Sequence, residues 1–157
     1  KGTRERILER AWKERRGAFV AAFGDDHLDA SVLLLPELGL LPATDPRFLA
    51  TLDVIGRELR DGDLLFRYRH EDDFGTPQTA FATCAFWYVN AMAAAGFVDE
   101  ARAHFTRLLR YRNSVGLLSE DIAPATGELW GNFPQTYSLV GVISSALRLS
   151  RPWETTL

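Results

Sequence analysis

The 157-residue chain carries 18 Lys and Arg against 21 Asp and Glu, a net charge of −3, and is 46% hydrophobic, 25% charged and 11% aromatic. That apolar content suffices for a packed core and excludes disorder, while the near-balanced charge gives no electrostatic reason to expect a nucleic acid as partner. Nothing approaches the roughly eighteen uninterrupted apolar residues of a membrane-spanning helix, and the single Cys84 favours a reducing, cytoplasmic setting.

The first segment, Thr3 to about Arg15, reads as an amphipathic helix with Ile7, Leu8, Ala11 and Trp12 inward, stopped by Gly17. Asp29 to Leu38 is apolar nearly all round and predicts a buried helix that Pro36 kinks or ends. Asp45-Pro46 is a helix start, with a capping carboxylate ahead of a proline whose missing N–H costs nothing there. Phe48, Leu52, Ile55 and Leu59 form that helix's inner stripe. A fourth helix is expected from Thr76-Pro77 to about Ala95, central because it has little polar face, with Gly96 as its stop. A fifth runs from Val98 to Asn113, with Arg102, Arg107 and Arg110 on a solvated outer face, and a sixth from about Pro134 to Leu149. Short links between alternating buried and amphipathic helices predict an all-α fold of stacked α-hairpins.

Two links, 61–75 and 114–133, are too long for that pattern, and long structureless loops in compact helical domains are usually functional. The chain has no Gly-rich phosphate loop, no paired Cys and no His pair at ligand spacing. His27, His70 and His104 read as surface or capping groups, Cys84 as an inert core thiol, and Ser119 lacks a nucleophile elbow. What remains in the two loops is carboxylates, arginines and aromatics. That set suits a sugar: aromatic faces stack on the pyranose, Arg and Asp bind hydroxyls, and a carboxylate pair does acid–base work at the glycosidic bond.

The run Gly116-Leu-Leu-Ser-Glu-Asp-Ile, followed by Pro124 to Ser138 with its Gly-Asn-Phe-Pro-Gln segment, resembles glycoside hydrolase family 15, the glucoamylases, glucodextranases and trehalase-like enzymes. Trp12 to Phe19, the Leu28-Asp-Ala-Ser motif, Asp45-Pro46-Arg47, Phe66-Arg-Tyr-Arg, Cys84-Ala-Phe-Trp and Asp99-Glu-Ala are similar to family segments in the same order. The resemblance implies a six-hairpin α/α toroid, with residues 1–157 as the C-terminal half of its catalytic domain. Family members invert configuration: one carboxylic acid protonates the leaving oxygen and a second carboxylate activates a water on the opposite face, room for which sets the carboxyl separation at about 6.5–9.5 Å.

Glu120, in Ser119-Glu120-Asp121, occupies the family's general-base position. Arg67 matches the arginine of the substrate loop, with a salt bridge to Glu71 or Asp72 as its structural alternative, and Trp130 either lines the sugar site or packs. Asp29 reads as a cap or scaffold residue. The general acid belongs to an upstream Trp-Glu motif that these residues lack. Gln78 and Leu139 stand where trehalase-like members often carry Glu and His. The implied partners are an α-glucoside substrate and the remainder of the same domain, with no cofactor, metal, nucleic acid or membrane. A non-catalytic α-hairpin domain binding a carbohydrate or a protein is the alternative.

Overall fold

The computed structural model describes residues 2–150. Lys1 and residues 151–157, the two ends of the expected unit, lie outside the described residues. Five α-helices are present among the described residues: α1 (Thr3–Arg10), α2 (Pro46–Glu58), α3 (Ala82–Ala94), α4 (Val98–Leu108) and α5 (Thr136–Leu149). None is long and apolar enough to cross a membrane.

α3 is the hub. Every residue from Ala82 to Met92 except Trp87 is buried, and α2, α4 and α5 all pack on it. Phe86 meets Phe105 of α4 edge-on at 6.3 Å, and Tyr88 meets His104 at 5.7 Å. On the other side Phe86 lies against the α5 backbone at Gly141. A Cβ at Gly141 would sit 2.7 Å from Phe86 Cδ2, so only glycine lets the two helices approach this closely. α2 follows its sequence signal. The Asp45 carboxylate accepts the Arg47 backbone N–H at 2.9 Å, and Phe48, Leu52, Ile55 and Leu59 are all buried. The Arg47 guanidinium holds the Asp45 carboxyl below its usual range.

Several elements differ from expectation, each because another partner won. The first helix stops at Arg10; Trp12–Lys13 (β1) instead pairs antiparallel with Ala18–Phe19 (β2), where the Trp12 and Phe19 rings pack edge-on at 5.3 Å. The 29–38 helix is reduced to a 3-10 segment, Ala30–Leu34, capped by Asp29. The fourth helix begins at Ala82 rather than Thr76, because Ala80–Phe81 (β5) joins a sheet. Val98–Asn113 is α4 followed by a 3-10 turn, Leu109–Tyr111. Its basic face is solvated, with Arg110 exposed, and carries two ion pairs, Arg102 to Asp99 and Arg107 to Asp63.

The two long links are not structureless. The first opens as a hairpin of Arg60–Asp61 (β3) and Leu64–Leu65 (β4). The second folds into Asp121–Ile122 (β6) and Leu129–Trp130 (β7), which complete a three-stranded sheet with β5.

Candidate active site

The sheet β5-β6-β7 fixes the position of Glu120, the residue just before β6. Its carbonyl accepts the Ala82 N–H at the start of α3, and its own N–H donates to the Asn132 carbonyl, both at 2.9 Å. The main chain of Glu120 is thus held from both sides. The flanking residue is also tied down. Buried Ser119 spends its hydroxyl on the Asp121 carbonyl, while Ser138 of α5 donates to the Ser119 carbonyl at 2.7 Å. The Gln135 N–H reaches the Leu118 carbonyl at 3.0 Å, so the N-terminal end of α5 carries this loop. Ser119 is a structural residue.

The Glu120 carboxylate accepts two hydrogen bonds at one oxygen. Oε2 takes the Asn132 side-chain amide at 2.8 Å and the Asn132 backbone N–H at 3.2 Å. Gly131 makes this approach possible. It has φ +76°, and a Cβ there would lie 3.0 Å from Oε2 and 3.1 Å from the Glu120 Cβ.

Glu120 opens onto a pocket of about 480 Å³ whose wall also includes Arg67, Tyr68, Gln78, Phe81 and Asp121. The structure therefore brings together Glu120 and Arg67, more than fifty positions apart in the chain. Arg67 is anchored rather than loose. Its carbonyl accepts the Ala30 N–H at 2.8 Å, and its Nε donates to Asp29 Oδ2 at 3.0 Å. Its ion-pair partner is Asp29, in place of Glu71 or Asp72. Asp29 does two jobs: the other oxygen caps the 3-10 segment at Ser31. A guanidinium held through Nε still has the N–H donors of its two terminal nitrogens to offer a ligand.

Trp130 is not part of that wall. It is more than half exposed, and its Nε1 donates to Glu128 at 3.3 Å. It pairs with Asp121 across the β6–β7 ladder, which places the two side chains on one face of the sheet.

Three residues of the site were assigned no role from the sequence. Asp121 lines the pocket, and its carboxyl is raised above the ordinary range by burial and by the neighbouring Glu120, against a hydrogen bond from Thr79 at 3.1 Å. Phe74 stands 98% exposed on the rim, an aromatic at the tip of a polar loop. Asn132, exposed in the turn after β7, touches the site through its hydrogen bonds to the Glu120 carboxylate. For Phe74 the readable hint was a lone aromatic among Asp72, Asp73 and Gly75.

The histidines divide. His27 and His70 stack at 4.3 Å near the surface, but His104 is buried with its Nε2 2.7 Å from the Asp63 carbonyl, and burial lowers its pKa. The surface reading fails for His104 because Tyr88 and the α3–α4 interface enclose it. Cys84 is wholly buried, and desolvation pushes its thiol up, as suits an inert core group. Among the described residues no three His, Cys, Asp or Glu side chains are grouped to hold a metal ion. A pocket of aromatic faces, one anchored arginine and two adjacent carboxylates can bind a polyhydroxylated ligand and accept a proton from a water held beside it.

The family model for glycosyl hydrolases family 15 matches residues 2–147. The chain belongs to glycosyl hydrolases family 15. It is similar to the trehalase of Thermoplasma volcanium, 37% identical over 147 residues, which is 93% of this chain and 24% of that protein. The trehalase of Mycolicibacterium smegmatis is also 37% identical, over 90% of this chain and 22% of its own length. The family 15 chain therefore spans about a quarter of the length of these relatives. Among solved structures, a wild-type glycosidase and a variant glycosidase in complex with glucose each superpose with a TM-score of 0.78. The identity is 18%, over 93% of this chain and 42% of the other, a likeness of fold.

Proposed function

We propose that this chain supplies the general base, Glu120, of an inverting glycoside hydrolase that cleaves an α-glucosidic bond. The observation that carries this reading is a carboxylate, fixed through its main chain, that faces the same pocket as an anchored arginine. Glu120 takes a proton from a water on the face of the sugar opposite the leaving group, and the water attacks the anomeric carbon. Arg67 holds sugar hydroxyls with its planar donors, and Trp130 offers an indole face beyond Asp121. The general acid comes from elsewhere in the protein. Both the glucoamylase-like and the trehalase-like reaction fit this pocket; the trehalases among its relatives favour trehalose as substrate.

The chain is, on this reading, the C-terminal half of a six-hairpin α/α toroid. The outer face of α5 supports it. Tyr137, Val140, Ile143 and Leu147 recur at helical spacing and are all more than half exposed, an apolar stripe that the rest of the domain would cover. The segment alone is accordingly expected to be inactive and poorly soluble.

The test is Glu120→Gln in the complete enzyme, which keeps shape and removes the base. Turnover on trehalose or maltose should fall by about three orders of magnitude or more. Near-normal turnover sinks the assignment. NMR of the products first released from trehalose should show β- and α-glucose in equal amounts, the attacked unit inverted and the leaving unit unchanged, and α-glucose alone would contradict inversion.

A further inference from the structure

We infer that Asn132 is the positioning residue of the Glu120 carboxylate, pinning Oε2 so that Oε1 is the oxygen that receives the proton. The inference deepens the general-base reading and rests on it. A free glutamate side chain rotates about three bonds, and both oxygens are equivalent bases. Here that equivalence is broken. Oε2 accepts two N–H groups of one residue, at 2.8 and 3.2 Å. A carboxylate oxygen that already accepts two donors is the poorer site for a further proton, and the second oxygen becomes the base.

The contact is built from both ends. The Glu120 N–H donates to the Asn132 carbonyl, so the residues exchange hydrogen bonds in both directions. Gly131 withholds the Cβ that would crowd Oε2 at 3.0 Å and keep the Asn132 N–H away. Asn132 itself is exposed, and its side-chain amide donates to the carboxylate. Asparagine suits the task because its Nδ2 donates without adding charge; an aspartate of the same shape would set a second carboxylate against Glu120.

The experiment is a double-mutant cycle in the complete enzyme, with kcat and KM measured on trehalose and maltose. Asn132→Ala should lower kcat by about tenfold or more while KM stays within about threefold, since a misplaced base slows the reaction without weakening sugar binding. Asn132→Asp, isosteric but unable to donate, should lose at least as much. In the Glu120→Gln background Asn132→Ala should cost nothing further, because its effect runs through the base. A full additive loss in that background overturns the proposal, as does normal kcat in both Asn132 variants. If Asn132→Ala does not fold, Asn132→Asp carries the same cycle. Should Glu120→Gln itself keep its activity, the general-base reading fails and this one with it; a dead Glu120→Gln beside fully active Asn132 variants sinks only the positioning role.

Discussion

α3 and α5 are neighbours of similar length in the same core, and they use their surfaces in opposite ways. α3 is buried on nearly every side, and α2, α4 and α5 of this chain pack on it. α5 turns Ser138, Gly141, Ser145 and Leu149 inward and leaves Tyr137, Val140, Ile143 and Leu147 outward. Its apolar stripe is on the wrong side for an amphipathic surface helix, and its inner face is small and polar enough to let backbone meet ring. The difference teaches where this piece of polypeptide is satisfied and where it is not. α3 is finished; α5 packs on α3 and, less, on α4, and keeps a face prepared for another partner.

Chemical denaturation of the complete protein can break that contrast. The largest effect should come from Phe86→Ala, which empties the wholly buried centre of α3 between α4 and α5 and should cost about 3–5 kcal/mol. Ile143→Ala on the outer stripe comes next. If the rest of the domain covers α5, the loss should be about 2–4 kcal/mol. A change within about 0.5 kcal/mol would leave the stripe a free surface and remove the main physical support for the half-toroid reading. The smallest effect belongs to Gly141→Ala. The added methyl gains about 1 kcal/mol of helix propensity but collides with Phe86, for which overpacking costs about 1–3 kcal/mol. A net loss of about 1 kcal/mol is expected, and a stabilised variant would show that α3 and α5 can part without penalty.

The helices were legible wherever a local signal and the tertiary environment agreed. Asp45-Pro46 with its apolar stripe became α2 nearly residue for residue, and the polar-poor run around Phe86 became the buried centre. They were misread where a strand partner lay far away in the chain. Nothing local tells Ala80–Phe81 that it will pair with Asp121–Ile122, whereas at Trp12 a helical periodicity masked a short hairpin to Phe19. The site followed the same rule. Glu120 and Arg67 stand out through the resemblance and then share a pocket. The Asp29 partner of Arg67 was hidden, because the contact spans 38 positions while Glu71 and Asp72 lie close by. Asn132 was hidden too: its chemistry depends on a reciprocal hydrogen bond across the sheet, for which sequence spacing offers no cue.

The ladder that holds Glu120 also decides what evolution is free to change. Its anchors are Ala82, on the first turn of the buried helix, and Asn132, beyond the hairpin. The hairpin tip between Ile122 and Leu129 lies outside both anchors. Residues can be gained, lost or exchanged at that tip at little entropic cost, while the carboxylate keeps its coordinates. A lineage can therefore remodel this hairpin without moving Glu120 from the wall of its pocket.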